Sequence, residues 1–193
     1  MKNNIQAHLA NQEIKESSFD DLYIVDYKNI NNGDVEMLEQ QPRDVKCVYL
    51  KNNKKLPIYF AGFKENLFGP GNQQCECVVF PQTCEEKDWV LFVECKYAQS
   101  AQTAKDKGRD YPKKMIDQII ATVGYFRDNE IMNKKRRATA IISFPNLMNF
   151  SGWVISAMYP LSLEDILIQY NILIRATNSA TIKDQKEILL NSN

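Results

Sequence analysis

The run Trp89-Val90-Leu91-Phe92-Val93-Glu94-Cys95-Lys96-Tyr97 constrains the chain more than any other segment. In an extended strand alternate residues face opposite sides, so Trp89, Leu91, Val93, Cys95 and Tyr97 share one face, with Val90 and Phe92 on the other. Both faces are apolar, as in a central strand covered on both sides. The pattern breaks at the end, where Glu94 and Lys96 project from one face. Open α/β sheets place ligands at the C-terminal ends of their strands, which makes this carboxylate and ammonium a candidate site.

The 193 residues fall in the one-domain range, so a single domain over 1–193 is expected. The 24 Lys and Arg balance the 24 Asp and Glu, which leaves no global field to draw nucleic acid; such a partner needs a local patch. No apolar stretch is long enough to span a bilayer, and Met1 to Gln6 lacks the apolar core of a signal peptide, so a cytoplasmic protein without a membrane partner is expected. Self-association is compatible with the sequence. The five cysteines include no C-x-x-C pair, which argues for reduced thiols. A zinc site can be drawn from Cys75, Cys77, Cys84 and His8, but its spacings fit no familiar ligand pattern.

Periodicity predicts a short helix from about Asn4 to Glu16, a strand from Asp21 to Tyr27, and a hairpin from Val45 to Leu50 and Leu56 to Phe60. After the break at Gly69-Pro70-Gly71-Asn72, Cys75 to Phe80 and Trp89 to Tyr97 form a second hairpin. From Tyr111 the period becomes helical, with Ile116, Ile119, Ile120, Val123 and Phe126 on one stripe and Pro112 in the first turn. Ala138 to Phe144 reads as a buried strand. Ser162-Leu163-Glu164-Asp165 opens a helix to about Tyr170, followed by a strand from Asn171 to Ala176. The fold class expected is α/β, with one mixed central sheet flanked by helices.

Antiparallel pairing keeps the sum of opposed residue numbers constant, and the connection Pro81 to Asp88 centres that sum near 169 or 170. Glu76 then faces Glu94, about 5 Å away across the sheet, and Cys75 faces Cys95 on the other side. Two facing carboxylates are destabilising unless something positive lies between them. A hard divalent cation, Mg²⁺ or Mn²⁺, satisfies that need, with the Cys95 main-chain carbonyl as a further ligand. Lys96 stands close enough to hold or deprotonate a bound water, or to offset charge on a phosphoryl oxygen.

Glu76 followed eighteen residues later by Glu94-Cys95-Lys96, then a helix and another strand, resembles the PD-(D/E)XK nuclease superfamily, the restriction-endonuclease-like fold. The resemblance covers about residues 56–144 and departs from the pattern in having Glu at 76 with no preceding Pro. It implies a restriction-endonuclease-like core, binding of Mg²⁺ by Glu76, Glu94 and the Cys95 carbonyl, and a Lys96 that assists attack of water on a phosphodiester of nucleic acid, DNA being the expected substrate. Some members add a Gln and a Tyr on the next helix, for which Gln118 and Tyr125 stand at wider spacing. An acid from the first helix is also common, and Glu13 or Glu16 fits it.

The segment from Lys105 to Lys114 carries five basic and two acidic residues. Lys105, Lys107, Arg109, Lys113 and Lys114 are therefore candidate phosphate contacts, although most such runs are solvated surface. Glu94 and Lys96 also admit a plain reading as a solvated pair at a sheet edge. Two other functional classes stand beside the nuclease: a nuclease-like fold without activity that serves as a binding or regulatory module, and an unrelated α+β interaction protein.

Overall fold

The computed structural model describes residues 1–9, 12–69, 71–106, 108–150 and 161–192, and among them it shows a mixed α/β fold. The elements run α1 (Lys2–His8), β1 (Lys15–Ser17), β2 (Asp21–Asp26), α2 (Lys28–Asn31), β3 (Val35–Leu38), β4 (Val48–Lys51), β5 (Ile58–Gly62), β6 (Cys77–Pro81) and β7 (Leu91–Cys95). They continue with α3 (Ala101–Lys105), α4 (Tyr111–Asp128), β8 (Ala138–Ser143), α5 (Leu163–Tyr170), β9 (Ile172–Ala176), β10 (Ser179–Ile182) and β11 (Ile188–Leu190). No helix among the described residues is long and apolar enough to cross a membrane.

Two mixed sheets replace the single sheet expected. The first has the order β1-β5-β6-β7-β8-β9 and the second β11-β10-β4-β2-β3. In the first, β5, β6 and β7 form an antiparallel meander, α4 crosses over, and β8 and β9 run parallel to β7. The strand β7 is buried along its whole length, as its doubly apolar pattern requires.

Helix α4 covers one face of the first sheet, laying Ile116, Ile119, Val123 and Phe126 onto it; Phe126 meets Phe92 edge-on with ring centroids 5.3 Å apart. The second sheet covers the other face, where Leu22, Ile24, Val48 and Leu50 pack on Phe60, Val79, Leu91 and Val93. The sheets approach closely near Gly62, at which a Cβ would come 2.5 Å from the Val35 carbonyl oxygen.

The hairpin expected from Val45 to Phe60 does not form. Strand β4 pairs with β2 and β10, whereas β5 pairs with β1 and β6, so the chain passes from one sheet to the other between them. Asn52 fixes that crossing: fully buried, it donates to the carbonyls of Phe19 and Leu56 at 3.0 Å and accepts from the Leu56 amide at 3.0 Å. The N-terminal helix ends at His8, short of Glu16, which lies in β1. At the other end of the chain the Ser162 capping box with Asp165 starts α5 as its sequence predicts.

The β6–β7 ladder has the register deduced from the loop, with Cys77, Val78 and Val79 opposite Val93, Phe92 and Leu91. It stops there. The Glu76 amide donates to the Val93 carbonyl at 3.0 Å, one residue out of register, while its own carbonyl accepts from the Phe63 amide at 2.8 Å. This local slip overturns the expected opposition of Cys75 and Cys95: Cys75 joins the core layer under α4, and Cys95 the layer between the sheets.

Candidate active site

Glu94 and Lys96 occupy alternate positions at the C-terminal end of β7, and antiparallel β6 brings Glu76 to the same end of the sheet. Lys96 Nζ lies 2.6 Å from Glu94 Oε1 and 3.3 Å from Glu76 Oε1. The carboxylates therefore meet through an ammonium instead of facing one another directly. Glu94 is wholly buried and Glu76 is 4% exposed, which excludes a solvated pair at a sheet edge. The Lys96 contact with Glu94 Oε1 is an ion pair outside hydrogen-bond alignment, and Glu94 Oε2 has no hydrogen-bond partner among the described residues.

Two further charged residues arrive from β2 and α2. Lys28 Nζ contacts Glu76 Oε2 at 2.7 Å, and the carboxylate of Asp26 accepts from the Lys28 amide at 2.9 Å. Asp26, fully buried at the end of β2, is a further acid close enough to feel the Glu76 charge, whereas Glu13 and Glu16 are exposed. Its signal is present in the sequence: Asp26-Tyr27-Lys28 places an acid and a lysine two residues apart at a strand end, as Glu94-Cys95-Lys96 does.

Among the described residues Glu76, Glu94 and Asp26 gather around the ammoniums of Lys28 and Lys96. Burial pushes the Glu94 carboxyl up to about 8, with the Glu76 charge adding and Lys96 and Lys28 opposing. Burial also raises Asp26, again with Glu76 adding. Burial works against charge on Lys96, but Glu94 and Glu76 outweigh it and hold the ammonium above its ordinary range. Lys28 follows the same balance, with Glu76 prevailing over burial. All four groups retain protons more strongly than in water, as an electronegative pocket of low dielectric demands.

A cleft of about 560 Å³ opens beside Glu76 and is lined by Lys28, Lys114 and Gln118 among others. Gln118 Nε2 donates to the Gln74 carbonyl at 2.7 Å. Tyr125 stands apart, its ring stacked on Phe68 with centroids 4.2 Å apart and packed against the core. Of the basic run, Lys114 alone lines this cleft among the described residues. Lys113 pairs with Asp117 at 2.7 Å, Arg109 donates to the Tyr111 hydroxyl at 3.4 Å, and Lys105 is exposed at the end of α3. Lys107 lies outside the described residues.

Among the described residues no group of three or more His, Cys, Asp or Glu side chains is placed to hold a metal ion, and the zinc set is not assembled, with His8 exposed on α1. Mg²⁺ needs no such cage, since it is commonly held by one or two carboxylates and keeps several waters. The unpartnered, buried Glu94 Oε2 is the feature that fits a hard cation. No protein-family model, curated protein or solved structure matches the chain.

Proposed function

We propose that the chain is a Mg²⁺- or Mn²⁺-dependent phosphodiesterase acting on nucleic acid, with DNA the expected substrate, and that its core is of the restriction-endonuclease-like kind. The observation that carries this reading is the convergence of Glu76, Glu94 and Lys96 within ion-pair distance at the end of a fully buried central strand. The strand order supports it: an antiparallel meander with the acid beside its second strand and E-x-K on its third, then a helix and a parallel strand, follows the arrangement the resemblance implies.

Glu76, Glu94 and the Cys95 carbonyl would hold the cation. When bound, it supplies Lewis-acid polarisation of a phosphoryl oxygen and a more acidic water. Lys96, between Glu94 and Glu76, would orient water and offset charge on the phosphoryl oxygen. Lys28 and Lys114 lie along the cleft where flanking phosphates would run. Gln118 aligns the substrate at the cleft wall.

Incubating the protein with single- and double-stranded DNA and RNA in Mg²⁺ or Mn²⁺ tests the proposal. Metal-dependent cleavage that Glu94→Gln abolishes is the expected result. One observation favours a second reading as a non-catalytic binding module: both oxygens of Glu76 already face ammoniums. Nucleic-acid binding with no cleavage in either metal would establish that alternative.

A further inference from the structure

Lys28 and Lys96 both stand on the Glu76 carboxylate, but they are held differently. Lys96 follows Glu94 out of the central strand; its amide donates to the Ser143 carbonyl at 3.0 Å, and its ammonium contacts Glu94 at 2.6 Å as well as Glu76 at 3.3 Å. Lys28 opens the one-turn helix α2, and its one ion pair among the described residues is with Glu76 Oε2 at 2.7 Å. Open space adjoins it. Lys28 lines the cleft of about 560 Å³ with Glu76 and a smaller one of about 270 Å³ with Asp34, and Glu65 lines both. The flexible four-carbon stem of a lysine can carry its ammonium off Glu76 into either cleft.

A Mg²⁺ ion takes a carboxylate oxygen at about 2.0–2.1 Å and keeps several waters around it. An ammonium 2.7 Å from the same oxygen occupies that coordination space and repels the entering charge. Lys28 therefore has to leave before Glu76 can offer Oε2 as a ligand. Glu94 Oε2, buried with no hydrogen-bond partner among the described residues, gives the entering cation its second carboxylate.

We infer that Lys28 is an exchangeable internal cation: it holds Glu76 while the site lacks metal, gives up Oε2 when Mg²⁺ or Mn²⁺ enters, and moves its ammonium into the cleft. This exchange rests on the metal-dependent reading of the site, and it makes Lys28 and the metal competitors for one oxygen. Calorimetry of Mg²⁺ binding reads the competition. Lys28→Met, confirmed folded by its thermal transition, should bind Mg²⁺ at least about tenfold more tightly than wild type, the lower end of what a unit charge in contact does to a proton on a carboxylate. Lys114→Met removes an exposed charge from the same cleft wall and should change the affinity less than about threefold, as a screened charge would. Acetylation of wild type by acetic anhydride, read by mass spectrometry, needs no variant: Lys28 should react severalfold faster in Mg²⁺ than in NaCl of equal ionic strength.

Equal or weaker Mg²⁺ binding by folded Lys28→Met, equal tightening by Lys114→Met, or a Lys28 no more reactive in Mg²⁺ overturns the exchange. If wild type still cleaves nucleic acid in Mg²⁺, the phosphodiesterase reading survives that failure. Tighter binding by Lys28→Met, with no cleavage by wild type in either metal, keeps the exchange and removes the phosphodiesterase reading. No Mg²⁺ binding by either wild type or Lys28→Met overturns both.

Discussion

Lys28 Nζ stands 2.7 Å from Oε2 of Glu76, although 48 residues separate the two and they belong to different layers of the fold. Together with Lys96 on Oε1, this contact holds the Glu76 carboxylate from two sides. The helix that follows β2 therefore reaches the Glu76 carboxylate, while the second sheet covers the first.

Lys28→Met keeps the apolar stem and deletes the charge. The nearly buried Glu76 then loses one of two cations, and removing one partner of a buried pair costs on the order of 3 kcal/mol. Denaturant unfolding in chelator should show a loss of that size, and the loss should shrink when Glu76→Gln is already present, as a double-mutant cycle reads it.

The pH dependence of stability follows from Glu94. Its carboxyl is pushed up to about 8 in the folded protein against 4.5 for the free group. Between these values the folded chain binds a proton that the unfolded chain has released, so stability falls as pH rises through that window, by roughly 1 kcal/mol per pH unit. Denaturant titrations in chelator from pH 5 to 8 should show this decline, and Glu94→Gln should flatten it.

Gly62 tests the packing of the two sheets beside the site. A methyl group there would meet the Val35 carbonyl oxygen at 2.5 Å, which neither backbone can relieve cheaply. Gly62→Ala should lose roughly 1–3 kcal/mol, the usual cost of overpacking. A neutral effect on the unfolding midpoint would contradict the close approach of β3 and β5.

Thiol labelling reports the core layers. Cys75, Cys77 and Cys95 are buried, and burial raises all three thiols, whereas Cys47 and Cys84 are partly exposed. Ellman's reagent should therefore titrate no more than two thiols in the native protein and all five after unfolding.

What the sequence reveals follows the range of its interactions. The β6–β7 register was legible because a hairpin loop fixes it locally, and α4 and α5 because stripe and capping box lie within the helix itself. The slip at Glu76 was not, because it depends on the tertiary pull of Phe63 on one side and Val93 on the other. The second sheet was hidden for a related reason: β2 pairs with both β3 and β4, but β10 joins β4 in parallel from the far end of the chain. Nearness in sequence made β4 look like the partner of β5. Asp26 and Lys28 thus carried a visible acid-x-lysine pattern with nothing local to say which site it would meet.

The central claim concerns Lys96, which stands between two carboxylates and stays cationic. The decisive measurement compares wild type with Lys96→Met for cleavage of plasmid and single-stranded DNA in Mg²⁺, alongside Mg²⁺ binding by calorimetry. The account predicts that the variant keeps or tightens its metal binding while cleavage falls at least about a hundredfold, the scale of a lost catalytic electrostatic group. Undiminished cleavage in Lys96→Met, or a wild-type protein that cleaves neither DNA nor RNA in Mg²⁺ or Mn²⁺, would contradict it.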